Sequence, residues 1–174
     1  MWINWNDLPE NMKNEQVRPY YEKLKQKRGS LITKRLFDIL VSLVMLILLS
    51  WLFLILAIAI KVDSHGPVFY RQVRVTTGNR NFRIFKFRTM VNNADKIGSL
   101  VTTGNDSRIT RVGAKIRKCR LDEIPQLLNI LKGEMSFVGT RPEVRKYVDR
   151  YTDEMMATLL MPAGVTSLAS ISFK

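Results

Sequence analysis

Two neighbouring carboxylates, Asp122 and Glu123, are the side chains of this chain whose types and surroundings best suit chemistry. They are the only adjacent acidic pair that is both flanked by a basic cluster and followed by an apolar helical pattern. Arg117, Lys118 and Arg120 precede them, and Ile124, Leu127, Leu128 and Leu131 follow at helical spacing. Two carboxylates side by side repel, and a divalent cation between them relieves the repulsion while neutralising a substrate diphosphate. One could bind magnesium while the other attacks a phosphorus atom. The basic residues would keep that nucleophile ionised and hold an anionic substrate. The plainer alternative is an amphipathic helix with Asp122 at its N-cap, Pro125 in its first turn and acids that complement its dipole.

Other chemistries find little support. The single histidine, His65, lies beside a Gly-Pro turn, and the single cysteine, Cys119, supports neither a disulfide framework nor a cysteine metal site. There is no glycine-rich phosphate loop of the P-loop or Rossmann kind. The net charge is +13, and Lys61 to Arg120 hold fourteen Lys or Arg against three Asp or Glu. Such a field attracts phosphorylated small molecules and anionic lipid more readily here than nucleic acid, for which no reading motif is present.

The elements that must position the pair begin with an uninterrupted apolar run, Ile39 to Ile60, without charge, Gly or Pro. At ~1.5 Å per residue it reaches roughly 33 Å as a helix, enough to cross a bilayer core. Both flanks are basic: Lys23, Lys25, Lys27, Arg28, Lys34 and Arg35 before, Lys61, Arg71 and Arg74 after. A spanning helix keeps its basic excess on one side. A re-entrant helix, bent at Ser50 into two arms of about eleven residues, would leave both flanks on the same side. Re-entrant is the preferred geometry and spanning the alternative.

Residues 1–33 read as a polar, basic tail, with Trp residues near its start and a short basic helix from Pro19 to Arg28. Arg35 and Asp38, three apart, are placed to pair on one helical face. Val68 to Val75 and Asn81 to Arg88, separated by Thr77-Gly78-Asn79, predict a β-hairpin. Lys86 and Arg88 then share a face, either as solvated charges or as a phosphate-facing pair. Thr89 to Ser99 has a short helical pattern, and Thr102 to Gly113 is loop-like. Gly133 closes the helix after the acidic pair. Ser136 to Glu143 reads as an extended piece and a tight loop, and Glu143 to Leu160 as one helix stopped by Pro162-Ala-Gly164.

Several motifs occur together in a familiar order: Lys34-Arg35-Leu-Phe-Asp38, Gly66-Pro-Val-Phe-Tyr-Arg-Gln72, Phe85-Lys-Phe-Arg-Thr-Met90 and Arg108-Ile-Thr-Arg-Val-Gly113. Leu121-Asp-Glu-Ile-Pro-Gln-Leu-Leu-Asn129 and Lys132-Gly-Glu-Met-Ser-Phe-Val-Gly139 follow, the latter with Arg141-Pro142. The stretch from about Leu31 to Ser167 resembles the bacterial sugar transferases, the monotopic polyprenyl-phosphate phosphoglycosyl transferases. The resemblance implies transfer of a phosphosugar from a UDP-sugar to undecaprenyl phosphate with release of UMP, the step that initiates surface-glycan assembly. It implies Asp122 as the nucleophile of a covalent phosphosugar-enzyme and Glu123 as the Mg2+ ligand, with Asp122 also near the metal. Lys86, Arg88, Arg117, Gln126 and Arg141 become the expected substrate-binding positions. A non-catalytic membrane-surface scaffold is the alternative.

The implied fold is α+β and membrane-associated: one re-entrant or spanning N-terminal membrane helix, a β-hairpin and several short amphipathic interfacial helices. The expected divisions are the tail at 1–33, the membrane helix at 34–61 and a catalytic domain at 62–174 on the cytoplasmic face of the bacterial inner membrane. Anionic lipids and downstream glycosyltransferases are the further expected partners. The sequence departs from the family pattern in places. Ser50-Trp51 stands where Ser-Pro is usual, Thr140 replaces the first proline of Pro-Arg-Pro, and Pro162-Ala-Gly-Val-Thr-Ser167 replaces a Pro-Gly-Ile-Thr-Gly-like segment. An end at Lys174 points to a truncated chain or a shortened variant with altered sugar recognition.

Overall fold

A computed structural model of the chain describes residues 3–94, 106–167 and 172. After a first helix, α1 (Arg18–Gln26), the apolar run forms two helices rather than one. α2 (Arg28–Leu48) and α3 (Ser50–Asp63) meet at Leu49 and diverge by 62°. The bend therefore forms without proline. Leu49 leaves the helical region at φ −95°, ψ 4°, and the Ser50 hydroxyl donates to the Ile47 carbonyl at 2.8 Å. Packing holds the two directions apart. Leu46 and Leu49 lie on a core of Phe82, Ile84, Leu127, Ile130 and Met135, whereas Leu52 and Phe53 join Leu56, Ile60, Phe87 and Ile116. The arms are 21 and 14 residues long, not two of eleven, because the first begins well before the apolar run.

Leu36, Leu40, Ile47, Trp51, Leu54 and Ile58 on the outer side of this pair are 56–66% exposed, a continuous apolar face of the kind that marks an interaction surface. Among the described residues no single helix is long and apolar enough to cross a membrane, while the bent pair together meets that length and composition.

The predicted hairpin is present: β1 (Phe69–Thr76) pairs antiparallel with β2 (Arg80–Phe87), Tyr70 opposite Lys86. Gly78 at the turn has φ 68°, a value that an L side chain rarely adopts. Two further helices, α4 (Arg111–Lys118) and α5 (Gln126–Lys132), flank the acidic pair. Gly133 ends α5 in the left-handed region, as expected. β3 (Met135–Val138) pairs in parallel with β4 (Ala163–Thr166), so the segment after Pro162 is a strand that the sequence did not announce. The one long helix expected over Glu143 to Leu160 is instead α6 (Arg145–Val148) and a 3-10 stretch, Met155–Leu160. Between them Thr152 turns its hydroxyl to the Met155 amide, the local competition that makes Thr a capping residue and a helix interrupter.

The polar N-terminal segment packs into the fold rather than trailing from it as a tail. Leu8, Met12, Val17 and Tyr21 are buried with Val75, Val148, Met156, Leu159 and Leu160 in a core of their own. Trp5 packs edge-on to Tyr21 there. The expected Arg35–Asp38 pair gives way to two longer-range attachments. Arg35 donates to the Ile130 and Leu131 carbonyls at 2.6 and 2.9 Å, at the end of α5. Buried Asp38 accepts from the Ser136 hydroxyl at 2.7 Å and the Phe137 amide at 3.3 Å, with Lys34 beside both. The helical pattern expected at Thr89 to Ser99 is described only as far as Ala94, its second half lying outside the described residues; Met90 bridges Ile109, and Arg111 to Gly113, expected in a loop, belong to α4.

Candidate active site

α4 is built to deliver Arg117. Thr110 caps it, accepting from the Gly113 amide at 3.0 Å, and Asp63 at the end of α3 accepts from the Val112 amide at 2.9 Å. At Gly113 a Cβ would collide with the Thr89 carbonyl oxygen, so glycine lets α4 lie directly on the chain leaving β2. Arg117 Nε then donates to Thr89 Oγ1 at 2.7 Å. After Lys118 the chain reverses through Arg120, held in the left-handed region at φ 55°, ψ 21°. Such a conformation costs a non-glycine residue on the order of 1 kcal/mol.

Asp122 and Glu123 lie on the 3-10 turn that follows, Leu121–Glu123, rather than at the N-cap of α5. Pro125, which has no amide hydrogen, takes that place and interrupts the i to i−4 ladder. The bonds through this segment are accordingly i to i−3: Ile124 to Leu121, Leu127 to Ile124 and Leu128 to Pro125. The tight turn puts both carboxylates on the same cleft, about 590 Å³ in volume, which Tyr70, Arg74, Arg108 and Arg117 also line.

Lys86 stands over the pair. Its ammonium donates to Glu123 Oε1 at 2.8 Å and lies 3.9 Å from Asp122 Oδ2. Arg141 comes to 3.8 Å and Arg120 to 4.0 Å from Glu123. The two acids are therefore driven apart. Burial pushes the Asp122 carboxyl above its ordinary value, and neighbouring Glu123 adds to the rise against the pull of Lys86 and Arg117. Burial acts on Glu123 in the same sense, but Lys86, Arg141 and Arg120 outweigh it and hold Glu123 below the ordinary value. Paired acids with separated affinities for protons are suited to separate roles.

Arg141 is held by its neighbours. Arg74 donates to the Pro142 carbonyl at 3.1 Å, and the Val75 amide donates to the Glu143 carbonyl at 3.0 Å. Of the other expected site residues, Gln126 is buried at the start of α5 and outside the cleft lining. Arg88 lines the cleft but turns its guanidinium to the end of α3. It donates to the carbonyls of Ser64 and His65 at 2.6 and 2.8 Å and to the Ser64 hydroxyl at 2.9 Å. The even alternation that placed it beside Lys86 ends with β2 at Phe87, so the shared face was not realised.

Sequence reasoning did not single out Tyr70, Arg74 or Arg108 as site residues. The available signal was strand period: Tyr70, Gln72 and Arg74 share one face of β1, and Tyr70 sits opposite Lys86. Arg108 is ion-paired to Asp106 at 2.6 Å, and this hydrogen-bonded partner holds the Asp106 carboxyl down at about 2.

Magnesium, the implied metal, can be tested against the donor set. Among the described residues no three His, Cys, Asp or Glu side chains converge. Two carboxylates do converge on one cation, the Lys86 ammonium. That suits magnesium, which typically takes one or two carboxylates and completes its shell with water and substrate phosphates.

A model of the family described as bacterial sugar transferase matches residues 29–174. The chain belongs to the bacterial sugar transferase family. Family members similar to it include the UDP-N-acetylgalactosamine-undecaprenyl-phosphate N-acetylgalactosaminephosphotransferase of Aeromonas hydrophila. That protein is 48% identical over 141 residues, 79% of this chain and 33% of the relative. The UDP-glucose:undecaprenyl-phosphate glucose-1-phosphate transferase of Klebsiella pneumoniae is 40% identical over 148 residues, 82% of this chain and 31% of the relative. An exopolysaccharide production protein of Rhizobium meliloti is 38% identical over 156 residues, covering 81% of this chain and 69% of the relative. The chain thus spans about a third of the length of the first two relatives and over two thirds of the third.

Proposed function

We propose that this protein transfers a phosphosugar from a UDP-sugar to undecaprenyl phosphate, the first membrane-bound step of a surface glycan. The observation that carries the reading is the half-buried Asp122–Glu123 pair, divided by Lys86 at the wall of a basic cleft. Family membership and the names of two relatives, both undecaprenyl-phosphate sugar phosphotransferases, support the same substrates.

In this reading an Asp122 carboxylate oxygen attacks the β-phosphorus of the UDP-sugar. The bond from that phosphorus to the bridging oxygen breaks, and its electron pair leaves with UMP. A phosphate oxygen of undecaprenyl phosphate then attacks the same phosphorus and releases the Asp122 carboxylate, giving a polyprenyl diphosphate sugar. The raised proton affinity of Asp122 makes its ionised form the stronger nucleophile, and Lys86 and Arg117 keep that form populated. Lys86, Arg117 and Arg141 bind and orient the diphosphate. Asp122 and Glu123 would hold Mg2+, which when bound neutralises charge developing on the leaving phosphate. Glu123, kept ionised by three cations, is the better permanent ligand.

The acceptor is a lipid, and the exposed face of α2 and α3 fits a lipid environment. We place the bent pair as a re-entrant element in the inner membrane, with the cleft on the cytoplasmic side and anionic headgroups against the basic flanks. Downstream glycosyltransferases would take the product.

Two experiments test this. Incubated with Mg2+ and UDP-sugar labelled in the β-phosphate, without lipid, the protein should retain label and release UMP, and Asp122→Asn should do neither. Label persisting in Asp122→Asn overturns the nucleophile assignment. In a Cys119→Ser background, cysteines introduced at Thr33 and His65 should react with an impermeant maleimide from the same side. Reaction from opposite sides makes the element a spanning one.

A further inference from the structure

Among the described residues β2 is paired on one side only, by β1, and its other edge meets α5. One α5 side chain hydrogen-bonds to that edge. Asn129, fully buried in α5, accepts from the Phe85 amide through Oδ1 at 2.8 Å and donates to the Arg83 carbonyl through Nδ2 at 3.0 Å. A single carboxamide thus serves an amide and a carbonyl two residues apart on one strand edge, as a neighbouring strand would. Its orientation is determined, because Nδ2 also donates to Glu134 Oε2 at 2.6 Å and a carboxylate accepts only.

This contact joins the two halves of the cleft. Lys86 follows Phe85 on β2, and Asp122 and Glu123 precede Asn129 across the Pro125 turn and the first turn of α5. The rest of the β2–α5 contact is mainly apolar, Phe82 and Ile84 against Leu127 and Ile130, with the Lys132 ammonium 4.9 Å from the centre of the Phe85 ring. Such packing attracts without direction and does not by itself fix register along a strand. A slip of one residue is ~3.3 Å, more than the Lys86–Glu123 bond can absorb.

We propose that Asn129 is a positioning residue of this site: by docking the β2 edge on α5 it sets the reach from Lys86 to the Asp122–Glu123 pair. The catalytic consequence rests on the transferase reading above, whereas the docking itself does not.

The test uses the full chain in lipid nanodiscs, with Asn129→Ala and two readouts. Hydrogen exchange at the Phe85 amide should accelerate by ~10-fold or more, because Asn129 is its acceptor. UMP release from UDP-N-acetylgalactosamine or UDP-glucose should show kcat lower by on the order of 10²-fold, the scale of an ångström-level misplacement, with KM for the donor little changed. Val148→Ala, in the separate N-terminal core, supplies a destabilised control whose kcat should stay at the wild-type level. Should Asn129→Ala not fold, the double variant Asn129→Asp, Glu134→Gln retains the acceptor toward Phe85 and reverses the bond between the two side chains. It should slow UMP release while keeping Phe85 protected. Unchanged Phe85 exchange in Asn129→Ala overturns the docking. A kcat loss matched by Val148→Ala overturns the positioning role. A wild-type protein that releases no UMP from any UDP-sugar overturns the transferase reading instead, and Phe85 exchange still decides the docking.

Discussion

Replacing each acid of the pair by its amide should move stability in opposite directions, because Lys86 serves the two unequally. The ammonium is 2.8 Å from Glu123 and 3.9 Å from Asp122. At an effective dielectric constant of ~20 these separations correspond to about 6 and about 4 kcal/mol of gross attraction. Desolvation of the half-buried groups returns most of both. What survives for Glu123 is the net worth of a charge-assisted hydrogen bond, about 1.5–3 kcal/mol, and Asp122 lies beyond hydrogen-bond reach of the same donor. Glu123, with its folded-state pKa depressed, contributes stability that is present above its unfolded-state value and lost as pH falls through the folded-state value. Asp122, with its folded-state pKa raised, contributes stability that is present below its unfolded-state value and lost as pH rises through the folded-state value, so its charge is a net cost at pH 7. In EDTA at pH 7, Glu123→Gln should lower Tm by about 3–12 °C for a chain of this size, whereas Asp122→Asn should raise it. Both differences should shrink as pH falls to about 4 and below. Thermal unfolding of the nanodisc-embedded chain, followed by intrinsic fluorescence from about pH 3 to about pH 8, measures them. Equal losses in the two variants, or a gain for Glu123→Gln, would refute the division of the pair by Lys86.

Asp38→Ala removes a buried carboxylate that accepts from Ser136 and Phe137 and lies beside Lys34, and should cost about 3–5 kcal/mol in denaturant unfolding. Asp38→Asn, which keeps an acceptor for Ser136, should cost less. Gly164→Ala places a methyl group against the backbone of Gly139 and should cost about 1–3 kcal/mol by the same measurement, since neither backbone can move away from the parallel pair. Removal of Mg2+ by EDTA should abolish UMP release, and added Mg2+ should restore it; activity that persists without divalent cations would remove the metal from the proposed reaction.

Local chemistry was legible where it was strong. The hairpin emerges from alternation and a Thr-Gly-Asn turn to within one residue at each inner end. The acidic pair and Lys86 were legible too, although not the 3-10 turn that presents the pair, because an Asp before an apolar helix resembles an N-cap whether or not a proline lies between. What could not be read was non-local. β4 begins Ala-Gly, residues of low strand propensity, and exists because β3, far away in sequence, accepts it as a partner. The N-terminal segment looked polar because its apolar residues, Leu8, Met12, Val17 and Tyr21, are sparse and follow no single period. They are core residues only because Leu159 and Leu160 are there to meet them. Arg88 shows the same limit at the scale of one side chain. Its place in the sequence puts it beside Lys86, and the carbonyls that α3 leaves unpaired at its end draw it elsewhere.

These unread contacts bear on the bent helix pair. Ser50 alone is a weak bending device, yet each arm is tied by polar contacts to the part of the domain beneath it. On α2, Arg35 holds the end of α5 and Asp38 holds β3. On α3, Arg88 holds the last carbonyls and Asp63 caps α4. α5 follows the acidic pair and α4 carries Arg117, so each arm is fastened to one side of the same cleft. In the proposed membrane setting, the depth of the two arms then fixes the height of Asp122 above the lipid phosphates. Straightening the helices would have to break the attachments of at least one arm. With no proline in the apolar run, the domain under the arms makes the bend.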